Sequence, residues 1–172
     1  LHFTIHSFPT RRSSDLHYRL PQRSADTYKH RVGKVLSLCG ARGFTGAATL
    51  VSEAASITGA GLVIAGIPQS LNAILETKLT EVITIPLPES GKGTFSIRSL
   101  QSLQKHFDWS DVIAIGSGMT QAPEPQEFIA EVLSEYSKTA VVDADAATHF
   151  SGENLPKLQE CPADIILTPH WG

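Results

Sequence analysis

One stretch decides the fold of this chain: Val35-Leu36-Ser37-Leu38-Cys39-Gly40-Ala41-Arg42-Gly43-Phe44-Thr45-Gly46-Ala47-Ala48. Its apolar first part is typical of a buried strand, and glycines follow at positions 40, 43 and 46. Glycines between a strand and a helix let main-chain N–H groups approach a ligand, and the helix dipole favours an anion there. The stretch therefore predicts an anion-binding loop. Many α/β proteins have such a loop, so it does not by itself identify the ligand.

Strands and helices continue to alternate along the rest of the chain. The pattern predicts strands over residues 34–39, 62–67, 82–86, 111–115, 139–142 and 164–167. Helical patterns lie between them, over residues 47–58, after 69, after a cap at Ser96, and over 125–137. Alternating strands and helices form parallel βαβ units, so we predict a three-layer α/β/α fold with a mostly parallel, doubly wound sheet.

Unusual polar and glycine-rich motifs follow four of the predicted strands. GARGFTG follows the first, GSG (116–118) the fourth, DAD (143–145) the fifth and TPH (168–170) the sixth. The carboxyl ends of parallel strands meet at one edge of the sheet, where open α/β proteins bind ligands. We therefore predict a binding site at that edge. The alternative is that these segments are ordinary turns.

The composition indicates one globular domain of ordinary charge. The 172 residues are 41% hydrophobic and 18% charged, with a formal net charge of −3. No basic surplus favours nucleic acid, and no apolar stretch is long enough to cross a membrane. Cys39 and Cys161 have no CxxC spacing, which argues against a disulfide framework or a zinc knuckle. We expect a cytoplasmic protein.

The first residues do not fit the pattern of the rest. Residues 7–16 read SFPTRRSSDL and resemble the in-frame translation of a common sequencing-adapter oligonucleotide. Arg11 and Arg12 could belong to a twin-arginine signal, but no apolar region follows them. We expect residues 1–20 to be a non-native or disordered tail, and the domain to occupy residues 25–172.

Two common nucleotide motifs are excluded by their missing partners. A dehydrogenase reading of the Gly40, Gly43 and Gly46 spacing needs a charged residue after the second strand to hold a ribose, and none is there. A P-loop at residues 91–94 would need glycine at 86 and Ser or Thr at 93, which are Pro86 and Gly93. We predict a solvated loop at 91–94.

Three side chains at the predicted edge could do chemistry. Asp143 and Asp145 could hold a metal or contact a ligand, or one of them could cap the turn that follows. His170 could donate a hydrogen bond to a substrate or be a structural histidine. Cys39 lies inside the first strand and is predicted to be a small buried hydrophobe.

Taken in order, the motifs resemble the NAD(P)H-hydrate dehydratase family. The motifs that carry the resemblance are Gly40 to Ala48, Gly59-Ala60-Gly61-Leu62, Glu81-Val82-Ile83-Thr84, Gly116-Ser117-Gly118-Met119, Asp143-Ala144-Asp145-Ala146 and Thr168-Pro169-His170-Trp171-Gly172. The chain departs from the family pattern at several positions, among them Ser117, where the family has proline, and Trp171, where proline is also common.

The resemblance implies a ribokinase-like fold and an enzyme that repairs hydrated NADH or NADPH. It implies ADP or ATP as phosphoryl donor, with Mg²⁺, and dehydration of the (S)-hydrate after phosphoryl transfer. The substrate-binding positions it assigns are Ala47, Gly116, Gly118 and His170, and those of uncertain, pocket-lining role are Gly43, Gly46, Asp143 and Asp145. It assigns no metal ligand.

The family's nucleotide-binding half, with its GTGD-type catalytic aspartate, would follow Gly172. We therefore expect a fold incomplete at its C-terminus that holds the substrate side and is inactive alone. The resemblance further implies a homo-oligomer and an NAD(P)H-hydrate epimerase, fused or paired. Two alternatives stay open: another ribokinase-like small-molecule kinase, and an inactive nucleotide-binding module.

Overall fold

The computed structural model describes Ser24 and residues 26–169. The predictions for the tail at 1–20 and for His170 and Trp171 therefore lie outside the described residues. The strands are β1 (Lys34–Leu38), β2 (Leu62–Pro68), β3 (Ile83–Leu87), β4 (Val112–Ile115), β5 (Thr139–Asp143) and β6 (Asp164–Thr168). The helices are α1 (Thr45–Ile57), α2 (Asn72–Lys78), α3 (Leu100–Trp109), α4 (Pro123–Glu135), α5 (Ala144–His149) and α6 (Leu155–Gln159).

The six strands form one sheet in the order β3-β2-β1-β4-β5-β6, and every neighbouring pair is parallel. The chain builds outward from β1 to β3 on one side, then crosses back to place β4 on the other side of β1. Because the direction of building reverses between β1 and β4, the loops after these two strands diverge and leave a crevice. This topological switch point is where a ligand is expected.

Helices cover the sheet on both faces, in three layers. On one face α1 packs on β1 and β2 and α2 packs on β3 and α1, and small and branched residues such as Ala48 and Leu75 are buried there. The other face carries the larger cluster, with α3 and α4 contributing Leu103, Phe107 and Phe128. The Phe95 and Phe128 rings stack there with centroids 5.0 Å apart. Burial of both faces explains why the central strands are almost continuously apolar.

The predicted fold class is confirmed, and every predicted strand lies within two residues of its observed position. The helices α5 and α6, of six and five residues, were not predicted as helices. Both are too short to show a clear helical period in the sequence. Pro86 lies inside β3, which it can do because β3 is an edge strand whose outer side needs no N–H donor.

The prediction of a solvated loop at 91–94 is wrong in part. Gly91 and Lys92 are exposed, whereas Gly93 and Thr94 are buried. The Ser90 and Thr94 hydroxyls hydrogen-bond each other at 2.6 Å, and the Ser90 N–H donates to the Thr94 carbonyl at 2.9 Å. These bonds close a tight turn that folds against the loop after β1.

Candidate functional site

The loops after β1 and β4 are joined at the switch point through their main chains. The N–H of Gly40 donates to the carbonyl oxygen of Ser117 at 2.8 Å, and the N–H of Gly116 donates to Leu38 O at 3.4 Å. Gly40 has φ of +87°, and a Cβ atom there would stand 2.9 Å from Ala48 Cβ. Glycine at position 40 is therefore required both by conformation and by space.

A second close approach joins Gly118 to the first turn of α1. A Cβ atom on Gly118, whose φ is +66°, would stand 2.8 Å from Ala47 Cβ and 2.9 Å from Phe44 Cβ. Ala47 and Gly118, 71 positions apart, thus form one surface. We call residues 40–47 together with 116–118 the switch-point wall.

The remaining glycines of the wall face open space or packed main chain. A Cβ atom on Gly43 or Gly46 would meet nothing within 4 Å, so both positions border open space. A Cβ atom on Gly116 would strike the main chain of Asp143. Gly43 and Gly46 thus lie at the open side of the wall, and Gly116 at its packed side.

Two cations border the N-terminus of α1. Lys78 donates from Nζ to the Thr45 hydroxyl at 2.9 Å, and Arg42 is exposed at the preceding turn. The Arg42 N–H donates to the Gly93 carbonyl at 2.9 Å, which brings the 88–95 turn beside the wall. Cations and free N–H groups at a helix N-terminus favour an anionic ligand. No sequence motif links Arg42, Lys78 and Gly93, so the sequence did not reveal this grouping.

Asp143 ends β5 and contacts the strands on either side. Its Oδ2 accepts a hydrogen bond from the Ser117 hydroxyl and its Oδ1 accepts one from the Thr168 hydroxyl, both at 2.7 Å. Asp143 is also the N-cap residue of α5, but its side chain makes no capping hydrogen bond. The Asp143 side chain therefore does not cap α5, which was one of the roles considered from the sequence.

Asp145 contacts the other end of the turn after β4. Its Oδ2 accepts a hydrogen bond from the Thr120 N–H at 2.9 Å. Thr120 has φ of +72°, an uncommon conformation for a residue with a branched side chain, and its carbonyl accepts a hydrogen bond from the Gln126 amide at 2.8 Å. The turn at 116–120 is thus fastened by Asp143 at one end and Asp145 at the other.

Residues 26–169 contain no cluster of three or more His, Cys, Asp and Glu side chains able to hold a metal ion. Cys39 is buried in the core, as predicted, and burial raises the pKa of its thiol to about 11. Such a thiol stays protonated and is a packing residue.

The sheet order and the wall at its switch point define a doubly wound α/β protein, and its similarity to solved structures shows a ribokinase-like fold. A ribokinase-like superfamily protein from Enterococcus faecalis superposes with a TM-score of 0.65 at 26% identity, over 76% of this chain and 43% of that one. The ADP/ATP-dependent NAD(P)H-hydrate dehydratase from Bacillus subtilis, co-crystallized with ATP/Mg²⁺, superposes with a TM-score of 0.64 at 25% identity, over 88% and 49%.

The chain belongs to the NAD(P)H-hydrate dehydratase family, whose model matches residues 35–172. The bifunctional NAD(P)H-hydrate repair enzyme Nnr of Moorella thermoacetica is 38% identical over 154 residues, and that of Salinibacter ruber 33% over 153. These alignments cover 90% and 88% of this chain but only 29% and 28% of the relatives. Among the described residues, no helix is long and apolar enough to cross a membrane.

Proposed function

We propose that this chain is the substrate-binding side of an ADP- or ATP-dependent NAD(P)H-hydrate dehydratase, a hydro-lyase that restores NADH or NADPH from the (S)-hydrate. The observation that carries the proposal is the contact between Gly118 and Ala47. These are two of the positions that the family resemblance assigns to the substrate, and they stand side by side at the switch point.

In this proposal the chain's own groups bind and orient the hydrated dinucleotide. The N-terminus of α1 and the cations Arg42 and Lys78 attract its phosphates. Gly118 and Ala47 leave room for the substrate because neither residue has a long side chain. The loop after β1 is therefore a recognition element.

The chemical step is phosphoryl transfer to the misplaced hydroxyl, after which elimination of the phosphate restores the dinucleotide. Mg²⁺ on the donor would neutralise charge that develops on the transferred group. The steps that this proposal assigns to the described residues are binding and orientation of the hydrate.

The same proposal extends to partners and location. We propose a cytoplasmic homo-oligomer that works with an NAD(P)H-hydrate epimerase, either fused or separate. The relatives' description as bifunctional repair enzymes supports the association with a second activity. The ordinary charge and the two unpaired cysteines support the location.

Calorimetric titration of the 172-residue chain with (S)-NADH hydrate tests the proposal. We expect saturable binding of the hydrate and no turnover when ADP or ATP with Mg²⁺ is added. Gly118→Ala should weaken binding at least about tenfold, because its Cβ pushes the wall apart. Gly152→Ala is the matched control: Gly152 also has positive φ, at +60°, but its Cβ meets nothing within 4 Å.

Three results would overturn the proposal or part of it. Absence of hydrate binding by the unaltered chain would contradict the substrate assignment and favour a different ribokinase-like kinase or a binding module. Binding of ATP alone, unaffected by Gly118→Ala, would specifically favour the module. Turnover of the hydrate by the 172-residue chain would contradict the division of binding and chemistry.

A further inference from the structure

The carboxylate of Asp143 is held by hydroxyl groups on both sides. Strand β5 lies between β4 and β6 in the sheet, and Asp143 is its last residue. Ser117 reaches Oδ2 from the turn after β4, and Thr168 reaches Oδ1 from the end of β6. Each hydroxyl donates its single hydrogen bond to this carboxylate. We call these three residues the Asp143 clamp.

The clamp continues into the loop after β1 through one residue. The Ser117 hydroxyl donates a hydrogen bond to Asp143, and the Ser117 carbonyl oxygen accepts one from the Gly40 N–H. Two successive hydrogen bonds of 2.7 and 2.8 Å therefore connect the end of β5 to the loop after β1. The clamp thus joins the carboxyl ends of β1, β4, β5 and β6.

We propose that Asp143 is a positioning residue for the substrate loops, acting through Ser117 and Thr168 by hydrogen bonding. The proposal rests on the function proposed above, since it concerns the placement of that wall. Holding Ser117 in place also holds Gly118 and Gly40, because Gly118 follows Ser117 in the chain and the Gly40 N–H bonds to its carbonyl. The geometry requires a hydrogen-bond acceptor at each of the two Asp143 side-chain oxygens.

This role predicts different outcomes for two substitutions of Asp143. Asparagine presents one oxygen to the Ser117 hydroxyl and an NH₂ group to Thr168, whose rotatable hydroxyl can turn to accept it. Asp143→Asn should therefore keep both contacts, whereas Asp143→Ala loses both. If Asp143 acted through its negative charge on a metal or substrate, both variants would lose that effect equally, because neither side chain is charged.

The first measurement is residue-resolved amide hydrogen exchange at Gly40 in the 172-residue chain. We expect exchange about tenfold faster in Asp143→Ala and Ser117→Ala, the effect of losing one or two hydrogen bonds. Asp143→Asn should stay within about twofold of the unaltered chain. If Asp143→Ala fails to fold, Ser117→Ala removes only the hydroxyl that links Asp143 to the residue bonded by Gly40, and it provides the same test.

The matched control is Asp111→Ala. Asp111 Oδ2 also accepts one hydrogen bond, from the Lys34 N–H at 2.9 Å, but at the opposite edge of β1 and β4. The Asp111→Ala substitution should leave amide exchange at Gly40 unchanged. Faster exchange in this control, equal to that of Ser117→Ala, would show general loosening of the sheet and would overturn the proposal.

The second measurement is the dissociation constant for (S)-NADH hydrate. It should rise about tenfold in Asp143→Ala and be largely restored in Asp143→Asn, in parallel with exchange at Gly40. An asparagine variant as weak as the alanine variant, or unchanged exchange at Gly40 in Asp143→Ala, would overturn the positioning role. Failure of the unaltered chain to bind the hydrate would refute the proposed function, while exchange at Gly40 would still decide whether Asp143 positions the loop.

Discussion

The main chain of Gly116 lies directly on the main chain of Asp143. A Cβ atom built on Gly116 would stand 2.0 Å from the Asp143 carbonyl oxygen and 2.6 Å from Ala146 Cβ. Gly116 also has φ of +122°. This contact brings the turn after β4 against the start of α5, so that the Ser117 hydroxyl can reach the Asp143 carboxylate.

The Gly116 contact predicts a large loss of stability on Gly116→Ala. The new methyl group meets main-chain atoms that cannot move aside, and the backbone is strained as well. We expect the free energy of unfolding to fall by about 3 kcal/mol, measured by urea unfolding followed by circular dichroism.

Gly33→Ala is the control for the backbone term alone. Gly33 has φ of +104°, but a Cβ atom there would meet nothing within 4 Å. The Gly33→Ala substitution should lower the free energy of unfolding by only about 1–2 kcal/mol. Equal losses in the two variants would contradict the steric explanation.

The hydroxyl of Ser52 predicts a stabilising substitution. Ser52 is fully buried in α1, and its Oγ has no hydrogen-bond partner among the described residues. Ser52→Ala removes an unsatisfied polar group and improves helix propensity, so the free energy of unfolding should rise by about 1 kcal/mol. Ser134→Ala in α4 is the control, because Ser134 is exposed and its hydroxyl donates to Glu131 O. Gains of equal size would attribute the effect to propensity alone.

The two cysteines should differ in reactivity towards a thiol reagent. Cys39 is buried and has a pKa raised to about 11, whereas Cys161 is only partly buried and its pKa is raised by burial and by Glu160. At about pH 8 we expect the folded chain to react slowly at Cys161 and not at Cys39. In denaturant both should react. Rapid labelling of Cys39 in the folded chain would contradict its burial.

Two half-buried histidines predict lower stability in mild acid. Burial, and then the charge of Lys105 or Lys157, lowers the pKa of His106 and His149 below the ordinary value of 6.5. The unfolded chain therefore binds more protons than the folded chain as the pH falls below that value. Because of this difference, the free energy of unfolding should decrease between about pH 7 and 5.

Comparison with a His106→Gln, His149→Gln double variant isolates this effect. Glutamine does not titrate, so the decrease in unfolding free energy between about pH 7 and 5 should be smaller in the variant. Identical pH dependence in the two chains would assign the decrease to other groups. Urea unfolding at a series of pH values makes the measurement.

Local patterns were enough to predict the strands but not the contacts between loops. Continuous apolar runs such as Leu62–Pro68 are typical of any parallel strand that is buried on both faces. The prediction of a solvated loop at 91–94 is wrong at Gly93 and Thr94, because glycine and lysine are typical of solvated loops. The burial of these two residues depends on the Ser90 and Thr94 hydroxyl pair and on the Arg42 main chain, which only folding brings together.

The sequence by itself determined the parallel α/β class, the edge of the sheet that carries the polar motifs and the resemblance to the family. These three features follow from the hydrophobic pattern, the glycine positions and the order of the motifs, all of which can be read directly from the sequence. Tertiary structure alone decided that Ala47 meets Gly118 and that Ser117 and Thr168 hold Asp143. Those contacts depend on sheet order and register, since hydrogen bonds and close packing act over a few ångströms between residues far apart in the chain.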